Sequence, residues 1–221
     1  MPTQKMKCRL VSWNDVHRLC SDLAEVIEKS AFNPSCIVAL ARSGFVPGRL
    51  LSDRLGITDL ISLKVEHWLD MTGQHAEEAV IRYRTPFDIS GKRILVVDDI
   101  VDTGKSMKLS VEYLQQFNPA ALKTAVMQYI TSSIFKPDFH VMTVKDWVWF
   151  IYPWNYIEDM CNLTLRLLKS APRGLELQRL RLAFKKNYTL EVQSSKLRDV
   201  LKILEKQGKV RQRHSIWYAS A

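Results

Sequence analysis

The stretch Ile94-Leu95-Val96-Val97-Asp98-Asp99-Ile100-Val101-Asp102-Thr103-Gly104-Lys105-Ser106 decides the fold of this 221-residue chain. Residues 93–97 read as a strand buried on both faces, because an unbroken aliphatic run suits the middle of a parallel sheet. The run ends in two adjacent carboxylates, and helical periodicity begins at residues 105–117. In open α/β sheets, ligands bind beyond the carboxyl ends of the strands. A helix that starts there offers free backbone N–H groups and a partial positive charge, a natural seat for a phosphate. Thr103 and Ser106 add side-chain donors, and Gly104 lets the backbone approach closely. Paired carboxylates suit a hydroxyl-rich sugar and a hard cation such as Mg²⁺. Two Asp after an apolar run are common as a strand ending, so the information lies in the whole string.

Working outward, residues 12–29 form an amphipathic helix with Val16, Cys20, Leu23, Val26 and Ile27 on one face. Residues 36–41 read as a second buried strand, which halts at Arg42-Ser43-Gly44. Val46-Pro47-Gly48 then opens a helix with proline in its first turn. Residues 60–68 and 79–83 read as strands flanking a polar segment, 70–78, that has little to pack. Residues 121–130 and 139–144 supply two more strands. The alternation predicts an α/β fold: a mostly parallel sheet with helices on both faces. Residues 170–174 (Ser-Ala-Pro-Arg-Gly) read as a linker between a domain of residues 1–169 and a basic C-terminal domain of residues 175–221. That second part reads as a helix at 175–184, a serine-capped helix at 195–207, Gly208, and an alternating basic strand at 209–219. Helix, glycine, basic strand is the order of a winged-helix module.

The net charge of +9 is unevenly placed: residues 166–213 hold fourteen Lys and Arg against four acids, leaving the remainder near neutral. The longest strongly apolar stretch, residues 147–154, contains a proline and falls far short of the about 20 residues a membrane helix needs. Residues 1–10 lack the apolar core of a secretory signal, so the expected address is cytoplasmic. Cys8, Cys20, Cys36 and Cys161 are scattered without metal spacing and read as reduced structural thiols.

The string V-V-D-D-I-V-D-T-G-K-S resembles the signature of type I phosphoribosyltransferases for phosphoribosyl pyrophosphate (PRPP), and the resemblance extends over roughly residues 9–160. Leu10-Val11-Ser12-Trp13 and Ala41-Arg42-Ser43-Gly44-Phe45-Val46-Pro47-Gly48 look like the xanthine-guanine branch of the 6-oxopurine enzymes. Trp149-Phe150-Ile151-Tyr152-Pro153-Trp154 resembles the small hood that covers the base in that branch. The resemblance implies that Arg42, Ser43 and Gly44 form the pyrophosphate loop, with Ala41 before them also among the substrate-binding residues, and that Asp98 and Asp99 face the ribose hydroxyls and Mg²⁺. It implies that Asp102, Thr103, Gly104, Lys105 and Ser106 hold the 5′-phosphate, and that residues 70–78 close over the reacting centre. Asp102 matches the family's acid/base near N7 of the purine, although an Asp here also suits a plain helix cap. Arg42 is expected to stabilise the departing pyrophosphate. Trp149 and Phe150 suit stacking on the base, and equally suit an ordinary core.

The base pocket departs from the branch. The family's lysine that donates to the 6-oxo group corresponds to Ile130, and its carboxylate near the 2-amino group corresponds to Ile151. A buried carbonyl facing isoleucine loses its water bonds without replacement, at a cost of about 1–3 kcal/mol. The expectation is therefore adenine as substrate and AMP as product, with hypoxanthine, guanine or xanthine as the alternative and Lys136 as the residue an alignment slip would bring in. PRPP, a purine base, pyrophosphate and a purine nucleoside monophosphate are the expected small-molecule partners, and a homodimer is implied. The basic tail raises a rival: a transcription regulator that senses PRPP and binds DNA. An accessory role, stabilising a dimer or sensing a nucleotide, is the reading favoured at this point over nucleic acid.

Overall fold

The computed structural model describes residues 5–68, 78–83 and 88–220, so the segment expected to close over the site lies, except for Glu78, outside the described residues. The chain divides into two compact units, Trp13–Asp146 and a second one made of Met1–Ser12 with Trp147–Ala221.

Within Trp13–Asp146 the strands are β2 (Cys36–Ala41), β3 (Leu60–Trp68), β4 (Glu78–Ile81), β5 (Arg93–Val101), β6 (Ala121–Ile130) and β7 (Phe139–Val144), and β1 lies in the other unit. They form one sheet in the order β4-β3-β2-β5-β6-β7, parallel throughout except for the edge strand β4. Strand residues alternate between two cores. Val38, Leu40, Ile94, Val96 and Val126 pack with Met107, Tyr113 and Leu114 of helix α3 (Lys105–Gln115). Ile37, Leu95, Val97 and Ala125 pack with Leu23, Ala24 and Ile27 of α1 (Trp13–Lys29) and Leu51 of α2 (Phe45–Leu55). Successive strand side chains point to opposite faces, and the aliphatic runs therefore need a helical layer on each side.

The chain leaves β2 for β3 on one side and returns to β5 on the other. The carboxyl ends of β2 and β5 thus flank a topological switch point, where such sheets bind ligands.

In the second unit β1 (Cys8–Leu10) pairs in parallel with β8 (Trp149–Ile151). Next in the chain come α4 (Tyr156–Lys169), β9 (Leu175–Glu176), α5 (Leu177–Tyr188), α6 (Ser194–Lys206), β10 (Val210–Arg213) and β11 (Ile216–Ala219). The last strands form a three-stranded sheet with β11 between β10 and β9. One apolar cluster joins Leu163, Leu167 and Leu168 of α4 to Phe184 and Tyr188 of α5 and to Leu197, Val200 and Leu201 of α6. The boundary therefore falls at residues 146–147 and not at 170–174, since α4 shares its core with α5 and α6. Residues 170–174 form a turn inside this unit, with Gly174 N–H donating to Ala171 O at 2.8 Å. The serine cap expected for the basic helix is absent: α6 starts after Gln193, with no side-chain capping bond. No helix among the described residues is long and apolar enough to cross a membrane.

Candidate active site

A cleft of about 230 Å³ opens at the switch point. It is lined by Ala41, Arg42 and Ser43 after β2 and by Asp98, Asp99, Asp102, Thr103, Gly104 and Ser106 at the end of β5 and the start of α3. Gly44 and Lys105 adjoin this lining without belonging to it. The apolar floor (Leu40, Val65, Ile100, Val101 and Met107) carried no signal beyond its place in strands and a helix.

The two loops are tightly built. The Ala41–Arg42 peptide is cis. Gly44 N–H donates to Leu40 O at 2.8 Å, and a side chain on Gly44 would stand 2.6 Å from Val97 O and 2.7 Å from Leu40 O. Only glycine lets this turn lie against the end of β5. Gly104 precedes the first turn of α3 with φ 84°, and a side chain there would strike Ser133 Oγ and stand 2.7 Å from Phe135 Cβ. Ile134 N–H donates to Thr103 O at 3.1 Å, so the loop after β6 braces the turn.

The paired carboxylates lie within β5, which continues to Val101 because Asp98, Ile100 and Val101 keep register with Val126, Gln128 and Tyr129 of β6. Asp99 is 5% exposed and Asp98 is partly buried. Asp99 N–H donates to Asp98 Oδ1 and Ile100 N–H to Asp99 Oδ1, each at 2.9 Å. Burial first, then the neighbouring Asp99 carboxylate, push the Asp98 carboxyl well above the usual carboxylate range. No group of three or more His, Cys, Asp or Glu gathers for a metal among the described residues.

The profile of the phosphoribosyl transferase domain family matches residues 10–157. The chain belongs to this family. A xanthine-guanine phosphoribosyltransferase of Idiomarina loihiensis is 31% identical over 156 residues, covering 69% of this chain and 92% of that protein. A hypoxanthine-guanine phosphoribosyltransferase of Saccharomyces cerevisiae is 28% identical over 152 residues, covering 62% of this chain and 68% of that protein. Among solved structures, a purine phosphoribosyltransferase from Pyrococcus horikoshii superposes with a TM-score of 0.59 at 28% identity, over 67% of this chain and 94% of that one. A protein from Neisseria gonorrhoeae with bound ppGpp gives 0.60 at 28% identity, over 69% and 90%. The two sequence relatives act on 6-oxopurines by name, and none of these names supports the expectation of adenine. The family match stops near the start of α4, leaving almost all of α4 to β11 outside it.

The remaining expected site residues belong to β6 and β8. Ile130 is 1% exposed at the end of β6. Trp149, Phe150 and Ile151 form β8 in the second unit, where Ile151 packs in the core and Trp149 hydrogen-bonds to Asp159 of α4. Tyr152 and Trp154 stack in the same segment, with centroids 4.8 Å apart and rings at 8°. All four cysteines are free and buried, burial pushing the Cys20 thiol up to about 12.

Proposed function

We propose that this phosphoribosyltransferase joins a purine base to C1 of PRPP and releases pyrophosphate, with adenine as the base and AMP as the product. The observation that carries the phosphoribosyl transfer is the single cleft in which the Arg42-Ser43 loop, the Asp98-Asp99 pair and the phosphate-seating turn of α3 converge.

The chemistry follows from the charges. Positive charge builds on the ribose as pyrophosphate leaves, and fixed donors aimed at the leaving anion are typically a large catalytic contribution. Arg42 and the backbone N–H groups of its loop supply them. Free N–H groups at the start of α3, with the hydroxyls of Thr103 and Ser106, hold the 5′-phosphate. Asp98 and Asp99 accept from the ribose hydroxyls. Asp102 takes the proton that the purine sheds as its nitrogen attacks C1.

Mg²⁺ fits this donor set. It keeps several waters and is commonly bound by one or two carboxylates together with substrate phosphates, which suits a pair of Asp with no third protein ligand beside it among the described residues. When bound at Asp98 and Asp99, it supplies charge neutralisation for the pyrophosphate.

The choice of adenine rests on Ile130 and Ile151, the positions matched to the 6-oxopurine branch's lysine and carboxylate. Neither has a polar side-chain atom to offer a 6-oxo or 2-amino group. The names of the relatives favour a second reading, a 6-oxopurine substrate. Pyrophosphate release from PRPP and Mg²⁺ with adenine, hypoxanthine, guanine and xanthine offered separately separates the two. Turnover with adenine alone supports the isoleucine argument. Turnover with a 6-oxopurine moves the base contact to another residue, Lys136 being the first to substitute. No turnover with any base would overturn the enzyme reading. The family resemblance also implies a homodimer, which light scattering on the full chain tests.

A further inference from the structure

Residues 194–213 carry seven Lys and Arg against two acids, Asp199 and Glu205. Four of these cations (Lys196, Arg198, Lys202 and Lys206) sit on α6, and Lys209, Arg211 and Arg213 come after it in the turn and β10. All seven are exposed. None of the seven is held in an ion pair among the described residues. Of the four cations on α5, two are held: Lys185 pairs with Glu191 at 2.6 Å, and Arg181 donates to Val192 O at 2.8 Å, while Arg179 and Lys186 are exposed like those of α6.

Helical geometry sharpens the pattern. Leu197, Val200, Leu201 and Leu204 bury one face of α6. Arg198, Lys202 and Lys206, four residues apart, then form a ridge on the other face. A helix of 13 residues is about 20 Å long and about 10–12 Å across, which matches a major groove about 12 Å wide. Beside it, a cleft of about 340 Å³ is lined by Arg198, Lys202 and Glu205 of α6, Leu177 of α5, Gln212 of β10, and Ser215 and Trp217 of the hairpin, so cations outnumber the one acid there. The order α4, β9, α5, α6, β10, β11, with β11 central in the sheet, places the basic helix and the basic hairpin next to each other in one unit.

We propose that α6 and the β10–β11 hairpin form a winged-helix surface for duplex DNA, with α6 entering the major groove and β10 following the phosphate backbone. The partner is a polyanion because the cations are unpaired, solvated and spread over a ridge and a strand. Neutralising each phosphate releases condensed counterions, which gives the binding its energy and its salt dependence. The inference stands independently of the catalytic reading, since none of its residues lies in the cleft at β2 and β5.

The test is fluorescence anisotropy of the full chain with a labelled mixed-sequence duplex between about 50 and 200 mM salt. The expected result is binding that weakens with salt, with a slope of about −0.9 per phosphate engaged. Reversing Lys202→Glu, Arg211→Glu and Arg213→Glu together should weaken binding by at least about tenfold and flatten the slope by about one for each phosphate no longer neutralised. Reversing Arg18, Lys29 and Lys108 instead, an equal change of charge in the other unit, should cost less than about threefold. Where the triple reversal lowers the unfolding midpoint, the Lys202→Gln, Arg211→Gln and Arg213→Gln variant replaces it, with the same direction expected. No duplex binding at the low-salt end, equal losses in the two reversals, or tighter binding to single-stranded RNA of the same length each overturns the proposal. Turnover with PRPP, measured on the same variants, should be unchanged, so a failed DNA test and a failed enzyme test remain distinct.

Discussion

In Trp13–Asp146 the three carboxylates that line the cleft are drawn out of water, Asp98 and Asp102 in part and Asp99 to 5% exposure, whereas the seven cations of residues 194–213 all stand in solvent. The first arrangement suits a small, highly charged ligand. A few groups, fixed by strand register and by glycine turns too tight for a side chain, act strongly because the low-dielectric surroundings do not screen them. The second suits a long polyanion, which is met by many weakly held contacts in high dielectric. Desolvation is concentrated in one region and avoided in the other. Each therefore has its own vulnerability: a single atom in the cleft, the summed charge on the ridge.

Asp102→Asn presses hardest on this contrast. It keeps the shape of the phosphate turn and removes the base, so turnover with PRPP should fall by about two to four orders of magnitude. PRPP affinity, measured by calorimetry, and duplex affinity should stay near wild type. A loss of duplex binding in this variant would tie the two regions together. Phe184→Ala tests the other unit: it empties a fully buried site in the cluster shared by α4, α5 and α6 and should cost about 3–5 kcal/mol. Hydrogen exchange should report weakened protection in α4 and α6 while β2 and β5 keep theirs. Equal weakening in both would show that the units unfold as one.

Gly44→Ala should cost about 1–3 kcal/mol, as the added carbon meets Val97 O and Leu40 O. The effect should appear first as weaker PRPP binding. Asp159→Asn is the smallest change. Burial chiefly, with the Glu158 charge adding to it and the Trp149 hydrogen bond opposing, pushes the Asp159 carboxyl up to about 6. The folded state thus holds this proton more tightly than the unfolded chain. Stability should be fullest below about pH 4 and decline as pH rises through about 6, by roughly 1–2 kcal/mol. Thermal unfolding across that range should show the decline in wild type and not in Asp159→Asn.

Much of this was legible in the chain itself. The aliphatic runs at residues 36–41 and 93–97 gave the central strands, and Arg42-Ser43-Gly44 with Asp98 to Ser106 gave the cleft, because local pattern and ligand chemistry coincide there. What escaped was non-local. β5 runs four residues past Val97, where its unbroken aliphatic run stops, because β6 supplies register partners, although a strand reaching Asp98-Asp99 reads as already ended. Helix α4 was hidden: it buries Asp159 and Thr164 among its apolar residues, which blurs its stripe. The hood segment spells out aromatics, but only the fold shows Trp149 bonded to Asp159 and Ile151 packed in a core. The cap of α6 was misplaced because two serines stand at its start and neither is used.

The parallel pairing of β1 with β8 sets a timetable. Cys8, Arg9 and Leu10 find their partners only at Trp149, Phe150 and Ile151, and Met6 N–H reaches Asn187 O. A chain emerging from the ribosome must carry its first strand, with its ladder groups unpaired, until some 140 further residues have been made. Such distant closure is slow to form, so synthesis that stalls before residue 149 leaves the edge of β1 open.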